Sequence, residues 1–215
     1  MTDAHYPPCE VFAEDNKTMI GFEPDLWNAM GKVLGVEIKP VSIDFAGLIP
    51  GVKSGRYDMA MECISDSAER EQQVSFVNYA YATNEVYTLA DNKSITTDPL
   101  TLCGLKVGVQ AGTDFEHAVT DILNPNCSKN GKAAIAVTRL HSADAVLLAL
   151  YAGRIDFVLN AAEIKKVAPR PQALLGALNV LWRNGEYELI MHKWDLQPVM
   201  LEQPGINLFS TRPMK

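Results

Sequence analysis

Arg70 ends a run, Ser54-Gly-Arg-Tyr-Asp-Met-Ala-Met-Glu-Cys-Ile-Ser-Asp-Ser-Ala-Glu-Arg70, whose residue types suit the capture of an anion. A guanidinium carries a planar set of N–H donors and forks onto a carboxylate. Ser65 and Asp66 stand just before it, and both are N-cap residue types. Asp66 and Glu69 have the spacing of a capping box. A helix starting here would add unpaired N–H groups and a partial positive charge. The chemistry on offer is recognition of a carboxylate. A well-capped surface helix with Arg70 in solvent fits the same residues equally well.

Placing that run takes a helix end, a turn and a buried strand. Gly55 suits the left-handed position after a helix, and Tyr57 to Ile64 is mostly apolar and reads as a strand. Upstream, the paired prolines Pro7 and Pro8 mark a loop. Glu10 to Phe22 reads as a hairpin turning at Asp15-Asn16-Lys17. Pro24 and Asp25 open a helix with Leu26, Trp27, Met30, Val33 and Leu34 on one face, ended by Gly35. Val36 to Val41 reads as a strand, and Asp44 as the cap of a second helix carrying Leu48, Ile49 and Val52.

Downstream, Val74 to Tyr81 and Glu85 to Ala90 read as extended, and Asp91 to Leu102 as a polar loop. Strands are expected at Lys106 to Val109, Ala134 to Val137 and Ile155 to Leu159. Thr113 or Asp114 caps a helix to about Leu123, with loop from Asn124 to Lys132, and Ser142 caps another helix. Helices follow from Gln172 to about Trp182 and from Gly185 to Trp194. The tail, Asp195 to Lys215, shows little periodicity.

Alternating strands and helices give an α/β class with largely parallel sheets. The turns Gly55-Arg-Tyr-Asp58 and Gly153-Arg-Ile-Asp156 each follow a helix and precede a strand, which favours two related lobes. Ligands of such sheets bind at the carboxyl ends of the strands.

Net charge is −7 over 215 residues, with no basic run, which excludes nucleic acid and anionic membrane as general partners. No apolar stretch is long enough to span a bilayer, and the residues after Met1 read as a loop rather than as a signal peptide. Cys9, Cys63, Cys103 and Cys127 fit no zinc spacing, and no metal, cofactor, Ser–His–Asp or phosphate-loop pattern is present.

The chain resembles the solute-binding proteins of polar amino acid ABC transporters, two-lobed α/β receptors of the periplasmic-binding-protein type II fold. The matching pieces are Thr2-Asp-Ala-His-Tyr-Pro-Pro, Ile20-Gly-Phe-Glu-Pro-Asp-Leu, Asp44-Phe-Ala-Gly-Leu-Ile-Pro, Ser54-Gly-Arg-Tyr-Asp and Ile64-Ser-Asp-Ser-Ala-Glu-Arg70. They continue with Val107-Gly-Val-Gln-Ala-Gly-Thr113, Ala152-Gly-Arg-Ile-Asp156 and Asn184-Gly-Glu-Tyr-Glu before Lys193-Trp. Each is weak alone, but together they keep the family's order almost to the end of the chain.

The resemblance implies a lobe at 1–89, a second at 90–168, helices at 169–194 returning to the first lobe, and a tail at 195–215. It implies a monomer in the periplasm that closes on a small amino acid-like ligand and delivers it to a permease, with no cofactor. Carried over by position, Arg70 forks onto the ligand carboxylate and Ser65 lies beside it. Phe45 and Tyr6 are aromatic walls, Asp3 is the N-terminal acid, and Thr113 adds donors from the second lobe. A Cys103–Cys127 bond also follows from the resemblance; it would stabilise by roughly 3 kcal/mol and imply an oxidising compartment. Cys9 and Cys63 are expected as buried free thiols.

The sequence departs from the family at several points. Glu62 and Cys63 stand where small or hydroxylic residues are usual, Asp114 replaces a hydroxylic residue, and Ala161 stands where an acid holds the ligand ammonium. Glu62 or Asp114 is therefore expected to supply the missing acid, since a buried unpaired ammonium is costly. The expectation is also a first lobe lacking the family's first strand before Asp3 and one hinge crossover, for which 167–172 is too short. Two alternatives stand beside the receptor. One is a dehydratase of prephenate- or arogenate-like acids with Glu62, Asp114 or His5 as its acid or base. The other is a degenerate fragment that binds nothing.

Overall fold

Three short strands open the chain, β1 (His5–Tyr6), β2 (Glu10–Phe12) and β3 (Met19–Ile20), paired as an antiparallel meander. Asp15 makes the expected turn. Its carboxylate accepts from the amides of Lys17 and Thr18 at 2.9 and 2.8 Å, and from the Thr18 hydroxyl at 2.6 Å. Asn16 takes the left-handed conformation there at φ 52°, which Asn tolerates better than most residues. The structure is a computed structural model and describes residues 1–81, 84–161 and 171–208.

Helix α1 (Phe22–Leu34) buries Phe22, Leu26, Trp27 and Met30 and ends at Gly35, in the left-handed region at φ 67°. The next expected strands do not form. Val36 to Val41 forms no ladder: the amide of Thr2 donates to the carbonyl of Val41 at 3.0 Å, and Ser42 forms a single parallel bridge with Thr2. Tyr57 to Ile64 also lacks a ladder; the amide of Met61 donates to the carbonyl of Met1, whose ammonium donates to the carbonyl of Met59. A strand requires a partner along its length, and among the described residues neither segment has a ladder partner; Met1 and Thr2 bond to them at single points, Val41, Met59 and Met61. They flank a groove of about 680 Å³, lined by Trp27, Ile38, Tyr57 and Met59 among others.

Helix α2 (Leu48–Lys53) follows a 3₁₀ turn at Phe45–Gly47, and Asp44 makes no side-chain cap bond. Helix α3 (Ala68–Glu71) is one turn long. Its cap is Ser67, whose hydroxyl accepts from the amide of Arg70 at 3.4 Å, in place of Ser65 or Asp66. Asp66 instead accepts from the Asn78 amide group at 3.0 Å. Strand β4 (Val77–Ala80) is fully buried.

Strand β5 (Asn84–Tyr87) begins the second unit. There β6 (Lys106–Gln110) is followed by α4 (Phe115–His117), a π-helical stretch at Ala118–Leu123 and α5 (Asn124–Lys129). The loop expected from Asn124 is thus helical to Lys129. Pro125 sits at the start of α5, where its missing N–H costs least, directly after the widened π turn. Then come β7 (Ala136–Leu140), α6 (Ala143–Tyr151) and β8 (Phe157–Ala161). The Ser142 hydroxyl caps α6 on the amide of Ala145 at 3.2 Å, as its residue type predicts.

The sheet order is β5-β8-β6-β7, with β6 parallel to both β7 and β8 and β5 antiparallel on the edge. Val107, Val109, Phe157 and Leu159 pack against Phe115 and Val119. Cys103 and Cys127 are joined, with Cα atoms 5.7 Å apart, and tie the entry of β6 to α5.

Helix α7 (Pro171–Arg183) and α8 (Glu186–Lys193) belong to the first unit, where Leu178, Leu181, Tyr187 and Met191 join the apolar face of α1 in one core. Full burial of each such side chain contributes about 1.5–3 kcal/mol. The tail forms β9 (Met200–Ile206), which pairs antiparallel with β4 and so belongs to that unit rather than standing apart.

The chain divides into Met1–Thr83 with Glu163–Lys215, and Asn84–Ala162. The first boundary falls before β5 rather than at 89, because β5 pairs with β8 along its length. The expected crossover gap lies outside the described residues apart from Pro171 and Gln172, which open α7. Among the described residues only the second unit has the expected parallel sheet; the named strands of the first pair antiparallel. Cys9 and Cys63, expected as free thiols, are bonded to each other with Cα atoms 6.5 Å apart. Both lie in the interior of the first unit, where the fold of β2 brings them together.

Candidate functional site

Arg70 is 6% exposed. Its Nη1 donates to the carbonyl oxygen of Ser65 at 2.8 Å, and its Cζ lies 5.9 Å from the centroid of the Phe45 ring. The guanidinium is thus oriented by a backbone carbonyl and an aromatic face, which together hold a planar donor set in one direction. Arg70, Ser65 and Phe45 lie together. With only one turn, α3 contributes no sizeable macrodipole, so recognition of a carboxylate here would rest on the guanidinium.

Asp3 is buried, and its carboxylate lies 2.9 Å from His5 Nδ1. Tyr6 is half-buried on β1 and packs on the core that includes Met61 and Cys63. Cys63 adopts φ 45°, a backbone conformation that favours glycine, and its amide donates to Glu23 at 3.1 Å. None of Tyr6, Phe45, Ser65 or Arg70 lines the 680 Å³ groove.

Glu62 turns inward. It is 3% exposed, and its carboxylate accepts from the Thr2 hydroxyl at 2.5 Å and from the amide of Asp3. Glu10 and Glu23 lie with it, both at 0% exposure. Glu23 accepts from the Tyr79 hydroxyl and the Cys63 amide. Burial, then the charges of Glu23 and Glu62, push the Glu10 carboxyl well above its ordinary range. Burial likewise pushes Glu62 up to about 8, against the hydrogen bonds it makes, and raises the Tyr79 phenol. This cluster escaped the sequence reading of Glu62 as a pocket wall. Its members are far apart in sequence, and only the fold places Glu10 and Glu23 behind the Cys63 amide.

In the second unit, the Thr113 hydroxyl donates to the Gln110 carbonyl at 2.6 Å, closing a turn in which Gly112 has φ 83°. Asp114 precedes α4 and makes no side-chain cap bond there. Arg139 on β7 clamps the next turn, donating from Nε to Glu116 at 2.6 Å and from a second nitrogen to its other oxygen. Ala161 ends β8 and pairs with Asn84.

Solved structures with the same architecture include an ancestral arginine-binding protein bound to arginine. It has a TM-score of 0.76 and 25% identity, covering 90% of this chain and 95% of that one. The substrate binding protein of an amino acid ABC transporter has a TM-score of 0.75 and 23% identity, covering 90% and 96%. The fold is therefore the two-lobed α/β type of periplasmic binding proteins. Residues 1–197 match the bacterial extracellular solute-binding proteins, family 3, and the chain belongs to that family. Among curated relatives, the arginine-binding protein ArgT of Corynebacterium glutamicum is 28% identical over 94% of this chain and 75% of its own length. A probable histidine-binding protein of Campylobacter jejuni is 36% identical over 65% of this chain. The chain spans 54% of the Campylobacter protein and 58% of an L-arginine-binding protein of Pseudomonas aeruginosa.

Proposed function

We propose that this chain is the solute receptor of an ABC transporter for polar amino acids, and that it binds a small amino acid with a cationic side chain. The observation that carries the reading is Arg70: a nearly enclosed guanidinium, aimed by Ser65 and Phe45, in a chain of a solute-binding family. In this reading Arg70 forks onto the ligand carboxylate, with the Ser65 hydroxyl beside it. Phe45 and Tyr6 flank the ligand side chain, and Thr113 contributes further donors. Asp3 and Asp114 take its positive groups. Glu62 is enclosed by Thr2 and Asp3, which leaves the acid's role to those two. The relatives named for arginine and histidine support the cationic class.

The same enclosure of Glu62 favours a receptor over a dehydratase, because a general acid must reach the proton it transfers. A permease partner, a monomeric state and a location outside the cytoplasm complete the proposal. The two disulfides support that location, since such bonds persist in oxidising compartments. No helix of the described residues is long and apolar enough to cross a membrane.

Calorimetry on protein freed of bound solute, with a panel of twenty amino acids, tests the reading. Saturable binding of arginine, histidine or lysine at micromolar or tighter Kd is expected. Silence across the panel would overturn it.

A further inference from the structure

We propose that Glu10, Glu23 and Glu62 form a proton-sharing carboxyl triad, and that this triad makes the first unit a pH-sensitive device, held together at neutral pH and loosened as the solution turns alkaline. The three carboxyls come from β2, from α1 and from the segment that leads into Ser65, and all are buried. Carboxyl oxygens of Glu10 and Glu23 lie within 4.8 Å of one another. The Glu10 carboxyl is within hydrogen-bonding reach of both Glu23 and Glu62.

The surroundings supply donors to two members and none to the third. Glu23 accepts from the Tyr79 hydroxyl and the Cys63 amide, and Glu62 from the Thr2 hydroxyl and the Asp3 amide. Both oxygens of Glu10 and the second oxygen of Glu23 receive no hydrogen from an amide, a hydroxyl or a cation. No lysine or arginine among the described residues forms an ion pair with any of the three. The other titratable groups beside them are the Tyr79 phenol from β4 and Asp3, whose carboxylate faces His5 on β1. The sulfur of Cys63 is bonded to Cys9 and does not titrate.

Two carboxyl groups hydrogen-bond to each other only when one carries a proton, because a carboxylate is an acceptor alone. Three buried anions without a cation would also repel one another in a medium that screens poorly. A proton on Glu10 answers both problems: its O–H is the donor that a facing oxygen lacks, and one charge disappears. Burial, then the charges of Glu23 and Glu62, raises the Glu10 carboxyl well above its ordinary value, and burial raises Glu62 to about 8. The protons kept at neutral pH belong to the triad rather than to one residue.

A carboxyl raised in the folded state contributes stability that is present below the unfolded value of 4.5. That stability is lost as pH rises through the folded value, about 8 for Glu62. What loosens is the backbone these groups hold. Glu62 grips the Asp3 amide and Glu23 the Cys63 amide, two residues before Ser65, whose carbonyl orients Arg70. The inference stands whether or not an amino acid binds.

The test uses the full chain. Infrared spectra at neutral pH should show a carboxylic-acid C=O band that shifts on carbon-13 labelling of glutamate and fades as pH passes about 8. Glu10→Gln keeps the side-chain shape and supplies N–H donors that need no titratable proton. Relative to this variant, the wild-type unfolding constant should rise about tenfold per pH unit between about pH 5 and 8, for the one proton the variant no longer holds. Glu62→Gln takes its place if the first variant does not fold. Folded wild-type protein with no glutamic-acid band at neutral pH would overturn the proposal, and so would a folded variant that keeps the wild-type pH dependence.

Discussion

The Nη1 of Arg70 donates to the carbonyl oxygen of Ser65 at 2.8 Å, so a residue of α3 is aimed by the backbone that leads into it. If that guanidinium meets the ligand carboxylate, truncation is costly. Arg70→Ala should weaken amino acid binding by about 100-fold or more, the scale for breaking a buried charge pair. Arg70→Lys should weaken it by at least roughly tenfold, because an ammonium has no planar fork. Calorimetry reads both, and an Arg70→Ala variant with wild-type affinity would remove Arg70 from the site.

Cys103 and Cys127 close a loop spanning 24 residues of sequence between the entry of β6 and α5. Replacing both by Ala should lower stability by about 3 kcal/mol, chiefly by freeing the unfolded chain. Urea unfolding measures it; a loss under about 0.5 kcal/mol would mean the bond adds little to the packing of Val107, Phe115 and Phe157.

Tyr187 connects three elements. Its hydroxyl donates to the carbonyl of Tyr79 on β4 and accepts from the amide of Leu201 on β9 at 3.3 Å. Tyr187→Phe strands a buried carbonyl and a buried amide, so a loss of about 1–3 kcal/mol is expected. Equilibrium unfolding of the variant reads this directly, and an unchanged midpoint would contradict it.

Arg139 beside Glu116 holds that carboxyl below its ordinary value of 4.5. A depressed folded-state pKa contributes stability above the unfolded value and loses it as pH falls through the folded one. The stability difference between wild type and Arg139→Ala should therefore shrink as pH drops from 4.5. Carbon-detected NMR titration should find the Glu116 carboxyl moved up in the variant. The pair is partly exposed, so salt should reduce the effect.

The helices were legible because their signals are local. The apolar spacing of Leu26, Trp27 and Met30, the stop at Gly35 and the cap at Ser142 all lie within one or two turns of what they control. Strands depend on distant partners. Val36 to Val41 has strand-like residues but only Thr2 beside its end, whereas Met200–Ile206, with Pro204 and Gly205, becomes β9 because β4 lies against it. The same reason separates the site residues. Arg70, Ser65 and Phe45 carry types that announce their chemistry, whereas Glu62 reads as a pocket acid until Thr2, Asp3 and Glu10 surround it. Cys9 and Cys63 lie 54 residues apart, and nothing local joins them.

The central claim is that Arg70 recognises an α-carboxylate, and one comparison isolates it. Calorimetry of the solute-free protein with L-arginine and with its α-amide, which keeps the ammonium and the guanidinium but lacks the carboxylate, should show arginine binding and the amide at least about 100-fold weaker. Equal affinity for the two, or heat from neither, would contradict the account.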